Sequence, residues 1–482
     1  MVLANSARVQ LPSPIRVADD FEERHIIQED LKDLLKLENI REVDDLLQRM
    51  SADWEQLTPD WERRFPDPRF LGAWQEHRKI FGYTLRSELV YQLKLALSEG
   101  QLRLKEPPKH LLVDEYQDLN ACDLAVVKAI AEAGATLFIA GDDDQSIYGF
   151  RYADPEGIRR FTTEYESSYG LELTECKRCD CGILELALYV ARQDTRRIDK
   201  RIWTAEGVGR GEVQILHFDT QIQEATGVAA ICKWLRDAKK IRPGNILLLL
   251  RTDHHRQFSK PLRAALESQG FRVVTITDPL EPLNCPKQED DKLQIHGRIL
   301  LSLLRLCVER KDHLAWRTLL QLRSNGIGGQ ANHSLYNLAR TRNDGYTGAL
   351  LAVRDNPSLI DKFGKKFSEE VNNIEGMLAK SPELRELEPL DFVRRLAEAH
   401  IPDEGIRMQV LGVFERAAAS APVTDLSELL RIINISPSQQ NQIDPDAINI
   451  MSMHQAKGLT ADATFVIAAE EEYPQVAPLA LE

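Results

Sequence analysis

Two short apolar runs that each end in acid constrain this chain more than any other feature. His110-Leu-Leu-Val113 runs into Asp114-Glu115, and Thr136-Leu-Phe-Ile-Ala140 runs into Gly141-Asp142-Asp143-Asp144. Runs of this size are strand-length, and the stretch between them is long enough for a helix. Strand, helix and strand in that order predict a parallel pair, whose ligands sit at the carboxyl ends of the strands. Gly141 follows Asp114 by 27 residues, one helix plus one strand further on, so adjacent parallel strands would bring the two acidic ends together.

The rest of the chain fits an α/β class interrupted by helices. Further strands are expected at Val213 to His217, Ile246 to Arg251, Val273 to Ile276, Ile448 to Ser452 and Thr464 to Ala468. Residues 1–100 read as helical, with Leu31, Leu34 and Leu35, then Leu85, Leu89, Val90, Leu93 and Leu97, at helical spacings. Pro59, Pro66, Pro68 and the Pro107-Pro108 pair break that stretch. Between Asp278 and Asp446 the pattern is helical again, as in Ile299, Leu300, Leu303, Leu304 and Cys307, so a helical block interrupts an α/β domain. Ser436 to Gln442 reads as its flexible return linker.

Composition narrows the classes. Among 482 residues, 61 Lys and Arg against 75 Asp and Glu give a net charge of −14, which argues against an overall basic coat but leaves room for a local basic groove. Hydrophobic residues at 43% and charged residues at 28% exclude long disorder. No apolar run approaches the roughly 18 residues of a membrane span, and the first residues do not read as an export signal. The expectation is a cytoplasmic protein with no membrane partner. Seven cysteines offer no disulfide framework.

The acidic strand ends carry chemistry. In phosphoryl-transfer sites a first acid holds Mg²⁺ and a second orients or deprotonates the attacking water, roles that suit Asp114 and Glu115. A bare Asp-Glu pair fits a solvated acidic turn equally well. In Gly141-Asp-Asp-Asp-Gln-Ser-Ile-Tyr-Gly-Phe-Arg151, Gln145 suits the sensing of a terminal phosphate. Tyr148, Phe150 and Arg151 combine stacking surface with a cation, as single-strand binding demands. An acidic loop with core aromatics would account for the acids but poorly for the Gln and Arg that bracket the rings.

Together, Val113-Asp-Glu-Tyr-Gln-Asp118 and the Gly141 to Arg151 segment resemble motifs II and III of the UvrD/Rep family of superfamily 1 helicases. Ile448-Asn-Ile-Met-Ser-Met-His-Gln-Ala-Lys-Gly-Leu459 resembles the family's motif V, and Glu471-Glu-Tyr-Pro474 resembles the tail that follows it. Asn245 to Thr252 and Leu319 to Gly328 resemble segments flanking and ending within its second insertion. The resemblance implies two RecA-like parallel-sheet domains, the first incomplete, with helical insertions. Residues 1–100 would be one insertion and 101–170 part of the first RecA-like domain; 171–278 would begin the second, 279–440 interrupt it, and 441–482 resume it.

It further implies a 3′-to-5′ DNA helicase using ATP and Mg²⁺ on single-stranded and duplex DNA. Asp114 would bind Mg²⁺, Glu115 would be the general base, and Gln145 would couple the γ-phosphate to DNA. Tyr148, Phe150, Arg151 and His454 would meet the single strand; a hydrogen-bonded loop histidine is the bland alternative for His454. Gly326-Ile327-Gly328 would be a helix-hairpin-helix turn approaching duplex phosphates, or a plain helix-linking turn. Leu173-Thr-Glu-Cys-Lys-Arg-Cys179 overlays motif IV, so Arg178 would be an arginine finger. Lys177 stands where the family stacks a Tyr on adenine, and Thr460 replaces a Glu after Lys457-Gly458-Leu459, so nucleotide contacts at Lys177, Lys457, Gly458 and Thr460 depart from the pattern. No Gly-x-x-x-x-Gly-Lys-Ser/Thr loop occurs in the 482 residues. That absence and the missing motif VI fall at the ends, so the expectation is a piece of a longer helicase, defective in ATP hydrolysis by itself. The alternative is a non-catalytic DNA-binding or scaffolding relative. Cys176, Cys179 and Cys181 supply only three thiols, fewer than a structural zinc site takes.

Overall fold

The computed structural model describes residues 11–58, 68–100, 102, 108–253, 256–276, 280–284, 291–323, 327–379, 387–435 and 443–469. The chain forms two compact units: residues 1–166 with 280–437, and residues 167–279 with 438–482. The Ser436 to Gln442 linker, Gly326 and the Glu471 to Pro474 tail lie outside the described residues.

The first unit is mainly helical. The two helical stretches expected as separate pieces share one core, in which Leu31, Leu35, Met50, Phe81 and Tyr83 pack in a single cluster with Leu300, Leu304, Trp316, Leu319 and Leu350. Each fully buried side chain of this kind contributes roughly 1.5–3 kcal/mol of burial free energy. Charges are buried with them. Asp19 caps the helical turn Asp20–Glu22 in a reciprocal box with Glu22, and both carboxylates meet the guanidinium groups of Arg298 and Arg305. Those arginines lie seven residues apart, two turns along the helix Lys292–Val308, and so on one face of it.

This unit also holds the acidic strands. β1 (His110–Val113) and β2 (Thr136–Ile139) pair in parallel, His110 opposite Thr136 and Val113 opposite Ile139, so their carboxyl ends are flush. Between them the helix Ala121–Glu132 starts at Asn120, whose side chain and that of Asp123 cap each other's backbone. Its Val126 and Ile130 cluster with Ala135 and Leu111 on one side of the strands. Leu112 and Phe138 are 71% and 62% exposed.

In the second unit β5 (Ile246–Leu250), β6 (Val273–Thr275), β7 (Ile448–Ser452) and β8 (Ala463–Val466) form an all-parallel sheet in the order β6-β7-β5-β8. The central strands β5 and β7 are almost wholly buried; β5 is a continuous apolar run, as burial on both faces requires, and β7 buries Asn449 by donating its Nδ2 to the Asp444 and Ala447 carbonyls. The helical residues 280–437 lie in sequence between β6 and β7. A second pair, β3 (Glu175–Cys176) and β4 (Trp203–Thr204), is also parallel. The strand expected at Val213 to His217 does not form. Ile215 is 97% exposed there, so an apolar alternation without a neighbouring strand gains neither ladder hydrogen bonds nor burial. No described helix is long and apolar enough to cross a membrane.

Burial pushes the carboxyls of Glu23, Glu55 and Glu88 each up to about 7, which gives the first unit a pH dependence, and Glu88 is the most enclosed of the three. Glu88 is 1% exposed, its Oε1 lies 2.6 Å from Arg78 Nη2, and its Oε2 is buried without a hydrogen-bond partner. Burial pushes its carboxyl up to about 7, against the pull of Arg78. A folded-state value above the unfolded one makes the native state bind the proton more tightly, so stability falls as pH rises from about 4.5 to 7 and levels above that. Glu88→Gln should remove about 3 kcal/mol of that fall. Urea unfolding of both proteins at pH 5 and pH 8 measures the difference; equal pH dependence in the two proteins would exclude Glu88 as a contributor.

Candidate active site

The site in the first unit is built at the flush ends of β1 and β2. Ala140 N–H donates to the Val113 carbonyl (2.8 Å) and Tyr116 N–H to the Ala140 carbonyl (3.0 Å), stitching the two exit loops together. Glu115 has a left-handed backbone, φ 51°, a conformation costing a non-glycine residue about 1–2 kcal/mol and found at functional sites more than elsewhere. Asp114 and Glu115 are both exposed. Asp114 Oδ1 accepts the Glu115 N–H at 2.9 Å.

A fully buried residue, Gln117, connects the two acidic loops. Its Nε2 donates to Glu115 Oε2 (2.6 Å) and its Oε1 accepts the Asp142 N–H (2.9 Å). Asp142 Oδ2 in turn accepts from Gln145 Nε2 at 2.8 Å. The candidate base and the candidate phosphate sensor are therefore joined through Gln117 and Asp142. Gly141 leaves room for this link: a Cβ there would sit 2.4 Å from Gln117 Oε1 and 3.1 Å from Tyr116 N. Neither Gln117 nor Asp142 stood out in the sequence, although Gln117 falls inside the first motif, two residues after Glu115.

Among the described residues, the acids that come close enough together for a shared cation are Asp142, Asp143 and Asp144. Asp143 is instead paired with Arg159 (2.9 Å) in a nearly dry contact. Asp142 accepts from Gln145 and from the Asp144 N–H. The Asp114 carboxylate, a hard oxygen donor, is exposed at the end of β1.

Beyond the acids, Tyr148 and Phe150 stand 6.0 Å apart between ring centroids, tilted by 55°. Phe150 is 67% exposed and Arg151 follows it on the surface. Tyr148 is half-buried beside it, so one exposed ring and one partly covered ring stand next to a surface cation. In the Gly-Ile-Gly segment the Ile327 side chain is 3% exposed and packs in the helical core, so any contact with a phosphate there would fall to the backbone. Gly328 is exposed and precedes the helix Gly329–Arg342. A groove beside it is lined by Lys32, Asp33, Lys36, Leu37, Gly329, Gln330 and His333, with Lys32 paired to Glu29 and Asp33. These cations escaped sequence analysis because they lie nearly 300 residues earlier.

In the second unit, Lys177 and Arg178 are exposed in the turn after β3. His454, Lys457, Gly458 and Thr460 occupy the loop after β7, where Ser452 N–H donates to Gln455 Oε1 (2.8 Å) and Gln455 N–H to Ser452 Oγ (3.2 Å). His454, Gly458 and Thr460 are exposed and Lys457 half-buried. Gly458 has φ +83°, a left-handed turn that favours glycine.

All-parallel strands, with acidic loops at the carboxyl ends of β1 and β2, define an α/β class, and the comparisons fix the family. The UvrD/REP helicase N-terminal domain matches residues 10–166, and the UvrD-like helicase C-terminal domain matches residues 172–479. The chain belongs to the UvrD/Rep helicase family. It is 25% identical to the ATP-dependent DNA helicase PcrA of Leuconostoc citreum over 389 residues, covering 77% of this chain and 50% of that protein. With DNA helicase II of Haemophilus influenzae it shares 25% identity over 513 residues, 98% of this chain and 66% of that one. PcrA of Bacillus subtilis is 24% identical over 383 residues, 75% and 50% of the two chains. The chain thus spans between half and two thirds of the length of these relatives.

Proposed function

We propose that the chain supplies the central part of an ATP-driven 3′-to-5′ DNA helicase. The observation that carries this is the hydrogen-bonded connection from Glu115 through Gln117 and Asp142 to Gln145, close in sequence to the half-buried Tyr148 and the exposed ring of Phe150. Such a connection has a physical use where hydrolysis must respond to a strand lying on those rings. A simple acidic turn has no need of it.

In this reading Asp114 holds Mg²⁺, which neutralises phosphate charge when bound. Glu115 accepts a proton from the attacking water, and Gln117 fixes the orientation of its carboxylate. Gln145 contacts the γ-phosphate, and Arg178 stabilises charge on the transferred group. Lys177, Lys457, Gly458 and Thr460 border the nucleotide. Tyr148, Phe150, Arg151 and His454 hold single-stranded DNA, while the Gly328 backbone with Lys32 and Lys36 meets duplex phosphates. The 482 residues hold no Gly-x-x-x-x-Gly-Lys-Ser/Thr loop to cradle the triphosphate, and this reading assigns that role to an element of a longer form.

The test is phosphate release, with and without single-stranded DNA, by the 482-residue chain and by a form extended to the relatives' length with a phosphate loop. Stimulated turnover is expected only in the extended form. Robust turnover by the chain itself would overturn this architecture, and none in either would favour a non-catalytic DNA-binding role.

Phe150→Ala should weaken single-strand binding by about 1–3 kcal/mol, with little dependence on base sequence, because stacking reads π-faces. Fluorescence anisotropy with labelled oligonucleotides measures this. Unchanged affinity would remove Phe150 from the strand path.

A further inference from the structure

The turn that carries Arg178 is flanked by two thiols that the proposed reaction does not use. Cys176 ends β3 and Cys179 follows three residues later, their Sγ atoms 3.5 Å apart and both half-buried. The third cysteine of the cluster faces elsewhere: Cys181 Sγ points to the Arg210 carbonyl at 3.8 Å. These cysteines form no three-ligand group within metal-binding reach among the described residues, so the close pair is a dithiol and not part of a thiolate cage.

We propose that Cys176 and Cys179 are a reversible oxidation site, closing to a disulfide across the Lys177-Arg178 turn and holding Arg178 away from its working range of positions. Closure requires the sulfurs to approach from 3.5 Å to about 2.05 Å, a movement within reach of side-chain rotation on an exposed turn. The two sulfurs are also differentiated. Burial works against ionisation of Cys176, but the backbone N–H groups of Cys179 and Arg178, the Cys179 thiol and the Arg178 charge more than offset it and bring the thiol below its ordinary value. Burial and the Cys176 sulfur push Cys179 up to about 11. Cys176 is thus the attacking thiolate and Cys179 the resolving thiol.

The oxidant is a hydroperoxide. The Cys176 thiolate attacks the terminal peroxide oxygen, the O–O bond breaks, and with one proton taken up the products are a Cys176 sulfenic acid and water, or an alcohol. The Cys179 sulfur then attacks Cys176 Sγ, the S–O bond breaks, and the Cys179 proton leaves with the hydroxyl as water. Two thiols lose two electrons and two protons to one peroxide. A small dithiol reverses the step by exchange.

The sequence supplies a direct readout, because trypsin cleaves after Lys177 and Arg178, between the two cysteines. The chain is treated with hydrogen peroxide, blocked with N-ethylmaleimide and digested without reductant. The peptides 161–177 and 179–192, the second carrying one maleimide on Cys181, should then travel as one species, two hydrogens lighter than their sum, and separate on reduction. Cys176→Ser and Cys179→Ser should each abolish that species, and Cys181→Ser should leave it. Separate peptides with Cys176, Cys179 and Cys181 all alkylated, from a chain whose circular dichroism is native, or a link that depends on Cys181, would overturn the site.

The effect on Arg178 rests on its reading as an arginine finger and is tested apart, in the extended form. There, peroxide should slow ATP hydrolysis at least 10-fold, reversibly with dithiothreitol and not in Cys176→Ser. A disulfide without loss of turnover overturns the regulatory role while the oxidation site stands. Normal turnover in Arg178→Ala overturns the finger.

Discussion

Glu22→Gln should lower the stability of the helical unit by about 3–5 kcal/mol, the range for breaking one member of a buried charge cluster. Glu22 is fully buried. Its Oε1 accepts from Arg16 Nη2 and Arg305 Nη1, each at 2.5 Å, and its Oε2 accepts the Asp19 N–H at 3.0 Å. Arg298 and Arg305 both donate to Asp19 Oδ2, at 2.8 and 2.9 Å, and Arg16 Nε donates to Asp312 Oδ2 at 2.7 Å. Arginines 16, 298 and 305 balance acids 19, 22 and 312, so an amide at position 22 leaves a surplus positive charge in the core. Trp54, Trp74 and Trp316 are buried in this unit, and their fluorescence in urea reports its unfolding. A loss below about 1 kcal/mol would mean that water or relaxation compensates the cluster. Combining Glu22→Gln with Arg305→Met should recover part of the loss, because the pair is then absent and no charge is stranded.

The same cluster sets an acid limit. Burial works against ionisation of Asp19, yet the guanidinium groups of Arg298, Arg305 and Arg16 more than offset it and hold its carboxyl far below the ordinary range. Arg16 and Arg305 do the same for Asp312. Depressed values in the folded state give stability that is present above the unfolded value near 3.8 and lost as pH falls below it. That window lies beneath the one to which Glu88 contributes.

What the sequence disclosed follows from the range over which each signal acts. β1 and β7 were legible because a largely apolar run stops at a polar loop, and both strand spans match expectation. β3 and β4, two residues each, are too short for any periodicity to register. Val213 to His217 had the composition of a strand, but pairing depends on a neighbour that composition does not reveal. The shared helical core was hidden for a related reason. Arg298 and Arg305 look like solvent-facing charges on an apolar helix, and their partners Asp19 and Glu22 lie nearly 280 residues upstream. At the site, the chemistry-bearing acids were legible as motif residues. The linking role of Gln117 was not, since it depends on two loops meeting through a buried side chain.

Glu115→Gln in the extended, ATP-hydrolysing form should leave nucleotide and Mg²⁺ binding nearly intact and slow hydrolysis on the order of 10²–10⁴-fold, the usual contribution of a positioned general base. The amide keeps the shape but has no basic lone pair for the water's proton. Gln117→Ala separates chemistry from position. It leaves the Glu115 carboxylate in place but removes the donor 2.6 Å from Oε2 and the acceptor of the Asp142 N–H, so a loss of up to about 10²-fold is expected from misplacement alone. In Gln117→Ala, turnover should also become less responsive to single-stranded DNA, since the connection from Gln145 to Glu115 passes through position 117. Steady-state phosphate release with and without oligonucleotide gives both quantities. If Glu115→Gln turns over at near the normal rate, the base lies elsewhere. If Gln117→Ala loses rate but keeps its full stimulation by DNA, Gln117 positions the base and the signal from DNA takes another route.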